Sequence, residues 1–297
     1  GTGATPMTAV TGRAVLALRD PDVGGAVQQS LEFSQERLQG RAVGAPAGTS
    51  SPIIEHPDVR RMLMTQRAWI DAMRALVYFN AAALDRAEAA REAGDPDARS
   101  WQELADLLIP LSKALCTDVG CEMTSLALQI HGGMGYVEET GAAQHFRDAR
   151  IAPIYEGTNG IQAADLVTRK LGLRSGAVVT DLLAEFAGSA EELAKVEGLE
   201  GFGARLAEAV DVTSRATTHL IETSGTDPRA VLGASVAYLR MLGTTVCAGL
   251  LAKSTLIASD RDDDFHRAKV VSARFFAEQI LPTVSGLLPA VQADAAD

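Results

Sequence analysis

A long apolar repeat at helical spacing constrains the fold of this 297-residue chain more than any other feature. It begins after Pro57 and continues to about Arg91, with spacings that alternate between three and four residues. Its members are Val59, Met62, Leu63, Trp69, Ile70, Met73, Leu76, Val77, Asn80 and Leu84. At about 1.5 Å per residue the repeat predicts a rod of roughly 50 Å, which is typical of a bundle helix.

Further helical patterns follow this repeat. Residues 100–130 form a second stretch after the turn Gly94-Asp95-Pro96-Asp97, so the pair is predicted to be an antiparallel hairpin, with a kink at Pro110. The spacing also predicts helices over residues 175–195, 202–224, 228–258 and 264–281, and no alternating strand series is visible. The predicted fold class is all-α, an up-down helical bundle followed by a helical extension.

Residues 129–171 connect two of these helical patterns. The sequence QIHGG over residues 129–133 predicts a helix end with a left-handed C-cap at the glycine pair. Thr158 is predicted to cap the next helix. The apolar stripe of that helix consists of Ile161, Ala164, Val167 and Leu171.

Glu156 is the candidate catalytic residue, because no other charged residue lies within five positions of it. It is predicted to lie on a loop at a helix N-terminus, with apolar residues around it. Apolar surroundings raise the pKa of a carboxyl group, whereas a helix N-terminus lowers it. A carboxylate between those influences suits general-base catalysis. From the residues alone, an acidic residue that merely offsets the helix dipole is the alternative.

Other polar residues of this stretch are weaker candidates. His131 is interpreted as a capping or core histidine, and Glu138 and Glu139 as a solvated turn. Three further charged residues are predicted to hold the loop beneath Tyr155 through charge-assisted hydrogen bonds: Arg147, Asp148 and Arg150.

Three linked motifs give the stretch a family resemblance. QIHGGMGY over residues 129–136, RDARI over 147–151 and YEGT over 155–158 stand in the order found in the C-terminal helical domain of acyl-CoA dehydrogenases, which the chain resembles. The resemblance implies that Glu156 removes the α-proton of an acyl-CoA thioester while the β-hydride passes to FAD. It extends over roughly residue 23 to the end and resembles the long bacterial members of the family.

The resemblance also implies which residues contact the cofactor and the substrate. Thr158, Asn159 and Gly160 are expected to lie against the flavin. A flavin bound mainly by a neighbouring subunit is expected to contact Gln129, Ile130, His131, Gly132 and Gly133. A helix ending in the pattern E-R-x-Q-G-R implies Arg37, and more weakly Gln39, at the flavin pyrophosphate. Tyr155 and Gly157 are the expected substrate neighbours.

The family's N-terminal helical domain and middle β-domain have no counterpart in the patterns of this sequence. We therefore divide the chain into an irregular segment 1–22, a bundle 23–173 with the catalytic loop, and a helical extension 174–297. The flavin and substrate domains are expected on a longer polypeptide or another chain. The expected assembly is a homodimer, a homotetramer, or a complex with a chain that carries those domains.

Three functions remain open at this stage. The first is a dehydrogenase that passes electrons to an electron-transferring flavoprotein. The second is an acyl-CoA oxidase, which shares the fold and the base but lets oxygen reach the reduced flavin. The third is a non-catalytic helical assembly subunit.

Charge and composition exclude other classes of partner. A net charge of -11 argues against nucleic acid and anionic membranes, and the uncharged runs are too short to span a bilayer. Three cysteines show no metal spacing and are interpreted as reduced core thiols. His266 beside Asp262, Asp263 and Asp264 is interpreted as a helix cap, so no metal is assigned. The expected location is cytoplasmic.

Overall fold

A computed structural model describes residues 21–294 of the chain. Every regular element in that range is helical, and β pairing there is limited to an isolated antiparallel bridge between Leu38 and Pro52. The predicted all-α class is confirmed. Of the segment 1–22, residues 1–20 lie outside the described residues, and the division of the chain into segments stays a prediction.

Four long helices form the bundle: α1 (Pro21–Glu36), α2 (Pro57–Ala93), α3 (Ala98–Pro110) and α4 (Cys116–His131). Helices α2 and α3 pack as the predicted antiparallel hairpin. Their register is visible in two side-chain hydrogen bonds, from Asn80 to Ser112 at 3.0 Å and from Arg91 to Gln102 at 3.3 Å. Gly94, in the left-handed conformation, ends α2 where the sequence predicts its end.

A π-helical turn, Leu111–Leu115, follows Pro110 in the second arm of the hairpin, where the sequence predicts a kink, and it leads directly into α4. A proline cannot donate the backbone hydrogen bond that the preceding turn requires, and a π turn is one way to accommodate that loss. This turn carries Lys113.

Helix α1 is shorter than predicted at its C-terminal end. The sequence indicates a basic turn of the helix that includes Arg37 and Gln39, but the helix ends at Glu36. The chain then becomes extended because the backbone pairs with residues 51–53. The N–H of Ile53 donates to Arg37 O at 2.8 Å, and the N–H of Gln39 donates to Ser51 O at 3.0 Å.

Three short helices lead from the bundle to the extension: α5 (Gly133–Tyr136), α6 (Ala142–Ile151) and α7 (Asn159–Asp165), followed by a second π turn, Leu166–Lys170. The extension contains α8 (Ala177–Leu193), α9 (Glu200–Thr223), α10 (Pro228–Ser259), α11 (Asp264–Gln279) and α12 (Leu288–Val291). Its four long helices agree with the predicted ones to within about two residues at either end.

Helix α10 is the central element of the described structure. It packs against α2 of the bundle and against α8, α9 and α11 of the extension. Leu239, Leu242, Val246 and Leu250 of α10 are buried, whereas Leu232 and Val236 are exposed. By length and composition α10 could cross a membrane, but 78% of its most apolar window is buried inside the fold. Core packing accounts for its apolar character.

A single hydrophobic core includes both the bundle and the extension. Its fully buried side chains include Leu108 and Leu166 before residue 174, and Phe186, Tyr238 and Phe276 after it. A second, smaller cluster forms where Ile53, Met62 and Ile130 meet, with Phe33 packed against them. The extension is therefore part of the same packed body as the bundle.

Candidate active site at the Glu156 loop

Glu156 lies in the middle of a short loop, residues 153–159, which we call the Glu156 loop. The N–H of Asn159 donates to Pro153 O at 3.1 Å and closes the base of the loop. Thr158 is the N-cap of α7, and its side chain accepts a hydrogen bond from the N–H of Ile161 at 3.4 Å. The predictions of a loop position for Glu156 and of a cap at Thr158 are both confirmed.

The backbone of Glu156 has a φ of +56°, and that of Gly157 has a φ of +89°. A positive φ is ordinary for glycine but costs a non-glycine residue about 1 kcal/mol or more. Such a conformation persists only where surrounding contacts enforce it. The contacts that hold the Glu156 loop therefore decide where the carboxylate lies.

Lys113, on the π turn, supplies one of those contacts. Its ammonium group donates hydrogen bonds to Gly157 O at 2.9 Å and to the side-chain oxygen of Asn159 at 2.6 Å. The lysine is 7% exposed. Burial lowers the pKa of Lys113, and the negative charge of Asp118 partly opposes that shift.

Asn159 connects the end of the loop to the start of α4. Its amide nitrogen donates to Ala114 O at 3.1 Å, to the hydroxyl of Thr117 at 2.9 Å and to the carboxylate of Asp118 at 2.7 Å. The resemblance implies that Asn159 lies against the flavin, but its side chain is engaged within the chain. Its N–H is engaged as well, since it donates to Pro153 O, whereas Gly160 is exposed.

The predicted apolar surroundings of Glu156 are wrong for this chain. Pro153 is buried, but Ile151, Ile154 and Tyr155 are 56%, 51% and 40% exposed, and Glu156 is exposed too. Within this chain, burial therefore does not desolvate the carboxylate.

Two of the three residues predicted to hold the loop beneath Tyr155 form other contacts, whereas the third, Arg150, borders the same cavity as Pro153 and Asn159. Arg147 donates to Gln144 at 3.2 Å and lies 3.5 Å from the carboxylate of Glu138, and Asp148 accepts from Gln144 at 2.8 Å. The two bonds to Gln144 lie on one face of α6, where side chains three and four residues apart meet, and the contact with Glu138 reaches the turn before α6. Lys113 and Asn159 hold the loop instead.

The other predicted cofactor residues lie at the opposite end of α4. Stacking of Phe33 on His131, with ring centroids 4.6 Å apart, brings the end of α1 beside the end of α4. Arg37 and the segment around Gly132 therefore belong to one surface. This surface is about 20 Å from the Glu156 loop, because about thirteen residues of α4 separate Asp118 from His131. The structure thus divides the predicted cofactor residues into two groups.

The side chains within the second group differ in exposure. Ile130 is in the smaller core cluster, and His131 is buried with its Nδ1 bonded to Ala127 O at 2.7 Å, as expected of a core histidine. Gln129 and both glycines are exposed. Gly132 ends α4 with a φ of +58° and a ψ of -137°, so its conformation is not the predicted left-handed helical one.

The charge and the shape of this second group decide whether it could bind FAD. The pyrophosphate of FAD is anionic, and Arg37 offers an exposed cation, while Gln129 offers an exposed amide. No atom lies within 4 Å of a Cβ added at Gly132 or Gly133, so the backbone there is open to a ligand. These residues fit one wall of a dinucleotide site rather than an enclosing pocket.

A cavity of about 450 Å³ adjoins the Glu156 loop. Pro153, Asn159 and Gly160 line one side, and Val236 and Arg240 of α10 line another. The extension therefore borders the candidate site. Among residues 21–294, no cluster of three or more His, Cys, Asp or Glu side chains could hold a metal ion.

Sequence reasoning missed Lys113, Thr117 and Asp118. A signal for the first was present, because Lys113 is a single cation within an otherwise uncharged apolar run from residue 107 to residue 117. A cation in such a run must be buried with acceptors or must reach solvent. The sequence did not indicate that the acceptors come from a loop more than forty residues away.

Two family profiles match the chain. One, described as the acyl-CoA dehydrogenase C-terminal domain, matches residues 12–171, and another, described as acetyl-CoA dehydrogenase C-terminal like, matches residues 179–297. The chain is 41% identical over 263 residues to 3-methylmercaptopropionyl-CoA dehydrogenase of Ruegeria pomeroyi, a match that covers 86% of this chain and 44% of that protein. It is 29% identical over 288 residues to butyryl-CoA dehydrogenase of Syntrophomonas wolfei, with 91% and 45% covered.

Solved structures agree on the fold. The acyl-CoA dehydrogenase of Bacillus anthracis complexed with FAD superimposes with a TM-score of 0.75 at 19% identity, over 96% of this chain and 48% of that one. ACDH-11 of Caenorhabditis elegans in complex with C11-CoA gives a TM-score of 0.68, over 92% and 42%. The chain thus spans somewhat less than half the length of these proteins. Because one family profile matches more than half of its residues, the chain belongs to the acyl-CoA dehydrogenase family, whose C-terminal domain it contains.

Proposed function

We propose that this chain supplies the catalytic base of an FAD-dependent acyl-CoA dehydrogenase, and that the base is Glu156. The observation that carries the proposal is the conformation of Glu156 at the centre of a closed, exposed loop. Its φ of +56° is enforced by contacts from α4 and the π turn. A strained, exposed glutamate whose backbone is held by surrounding contacts suits a group that must meet a substrate arriving from outside this chain.

The base takes one proton in the proposed reaction. A carboxylate oxygen of Glu156 accepts the α-proton of the acyl thioester, the β-carbon loses a hydride, and a double bond forms between the two carbons. Bound FAD supplies the acceptor for that hydride. The chain orients the carboxylate through the Glu156 loop, and Tyr155 and Gly157 are the proposed neighbours of the acyl group.

The flavin contacts are proposed at two places. Thr158, Gly160 and the backbone of Asn159 are proposed to border the flavin ring beside Glu156. Arg37, Gln39 and the exposed part of residues 129–133 are proposed to hold the ADP part. We propose two different flavins at these places, because the family resemblance implies that the flavin at residues 129–133 is bound mainly by a neighbouring subunit. We therefore propose a homodimer or homotetramer, or an assembly with a chain that carries further domains.

Dehydrogenase activity, with an electron-transferring flavoprotein as acceptor, is preferred to oxidase activity. The preference rests on 41% identity to a protein named a dehydrogenase. Oxygen consumption during turnover distinguishes the two. A rate that depends on added electron acceptor under air supports the dehydrogenase.

Replacement of Glu156 by glutamine tests the base. In the assembled enzyme with acyl-CoA, we expect kcat to fall about 10²- to 10⁴-fold, because an amide cannot accept the α-proton. Glu138→Gln is the matched control, since it changes an exposed carboxylate that lies before α6 and approaches Arg147. If Glu156→Gln turns over at the wild-type rate, the chain is a non-catalytic helical assembly subunit and the proposal is wrong.

A further inference from the structure

We propose that Lys113 is a positioning residue that fixes the Glu156 loop, and with it the direction of the Glu156 carboxylate, from the π turn below. The inference rests on the proposed function for its catalytic consequence. Its structural part, that this buried lysine holds the loop, can be tested without any turnover.

The hydrogen bonds of the Lys113 ammonium group are the first observation. An ammonium group has three N–H donors, and the loop accepts from this one at two points, Gly157 O and the Asn159 side chain. A buried cation requires acceptors far more than an exposed one does. The loop and the lysine therefore satisfy each other, and displacement of the loop would leave the ammonium group without those acceptors.

The place of these bonds in the loop is the second observation. Gly157 directly follows Glu156, and both residues have a positive φ. The carbonyl that Lys113 holds is thus one peptide away from the Cα of the base. With the loop closed at Pro153 and Asn159, a shift of this carbonyl must move Glu156. Misplacement of a reacting group by about 1 Å can cost about 10²-fold in rate.

The position of Lys113 on the π turn is the third observation. The turn Leu111–Leu115 follows Pro110 and contacts α7, the helix that starts at the loop. Single π turns inside α-helices are frequent at functional sites. Here the turn presents a lysine to the loop, and Asn159 adds bonds from the loop back to the first residues of α4.

Hydrogen exchange of the 297-residue chain tests the structural part. Lys113→Met keeps the length of the side chain and removes its charge, and we expect amide exchange in residues 153–159 to become about 10- to 100-fold faster. Lys170→Met is the matched control. It removes a lysine whose side chain is 13% exposed and pairs with Asp106, and it forms no bond to the loop. The inference is overturned if folded Lys113→Met and Lys170→Met exchange alike in this loop.

Kinetics of the assembled enzyme tests the catalytic part. For Lys113→Met we expect kcat to fall about 10- to 100-fold while KM changes less than about threefold, because the variant disturbs the base rather than substrate binding. The isotope effect with α-deuterated acyl-CoA should rise as proton abstraction becomes slower. An unchanged kcat and isotope effect would contradict the inference.

The hydrogen-exchange and kinetic experiments together distinguish a failure of this inference from a failure of the proposed function. If the loop exchanges faster in Lys113→Met but Glu156→Gln turns over at the wild-type rate, Lys113 holds the loop and Glu156 is not the catalytic base. If Lys113→Met does not fold, a second variant, Asn159→Ala, tests whether the link to Lys113 holds the loop. It removes one of the two acceptors of Lys113 together with the bonds from Asn159 to α4, and we expect at least the same acceleration of exchange. Wild-type exchange of the loop in Asn159→Ala would overturn the inference.

Discussion

Asp71 shows how one buried carboxylate joins the bundle to the extension. Its side chain is 2% exposed and lies 2.8 Å from Lys269 of α11 and 3.0 Å from Arg67 of its own helix. Burial raises its pKa, but the hydrogen bond and charge of Lys269 and the charge of Arg67 outweigh burial and hold the pKa below its ordinary value. The native state therefore favours the ionised form.

This arrangement predicts a loss of stability in acid. Because the pKa of Asp71 is lower in the folded chain than in the unfolded one, its contribution is fully present above about pH 4 and disappears as the pH falls through the folded value. We expect Asp71→Asn to lower the free energy of unfolding at pH 7 by about 1 to 3 kcal/mol. Urea unfolding should show that this difference shrinks below about pH 4.

Asp85→Asn is the control for the acid prediction. Asp85 is an exposed aspartate on the same helix as Asp71. Its replacement should change the free energy of unfolding by less than about 0.5 kcal/mol at any pH. A pH-independent difference between wild type and Asp71→Asn would contradict the assignment of a lowered pKa to Asp71.

At the scale of elements, the close approach of α10 and α8 depends on a glycine. A Cβ added at Gly249 would lie 2.3 Å from the ring of Phe186, which is fully buried in α8. Gly233, in the same helix, has no atom within 4 Å of such a Cβ. Neither glycine has a positive φ, so the two positions differ in space and not in backbone conformation.

Alanine at these two positions should have opposite effects. Gly249→Ala should destabilise the chain by about 1 to 3 kcal/mol or more, because the core would be overpacked. Gly233→Ala should stabilise it by about 0.5 to 1 kcal/mol, because alanine is the better helix former in open space. Urea unfolding of the two variants measures both values. Equal effects at the two positions would mean that α8 and α10 are not packed as described.

At the scale of the whole molecule, the continuous core predicts cooperative unfolding. Arg240 of α10 donates two hydrogen bonds to Glu122 of α4, at 2.8 and 2.9 Å, and its guanidinium lies over the Trp69 ring of α2. Together with the shared core, these contacts couple the extension to the bundle. We expect one transition in differential scanning calorimetry, with equal calorimetric and van't Hoff enthalpies.

Two separate transitions would contradict the single body. Gly249→Ala tests the coupling of the bundle and the extension more directly, because the substitution disturbs packing within the extension. In a cooperative molecule the midpoint of the whole transition shifts, including any signal from Trp69 and Trp101 in the bundle. If fluorescence of those tryptophans reports an unshifted midpoint, the bundle and the extension unfold independently.

The sequence by itself determined the helices and the candidate base. Apolar spacings of three and four residues, punctuated by Gly94 and by Thr158, are local signals, and a helix is made of local hydrogen bonds. For that reason α2, α8, α9, α10 and α11 lie where the sequence predicts them. Glu156 was identifiable because its motif is also local, a run of residues in order.

Only the tertiary structure decided which groups hold that base. The bond from Lys113 to Gly157 joins residues 44 positions apart, and neither residue carries a local signal for the other. The extended pairing after Glu36 likewise depends on residues 51–53, which no pattern in α1 could reveal. Exposure of Ile154 and Tyr155 follows from where the rest of the chain lies, since burial is a property of the packed molecule and not of a motif.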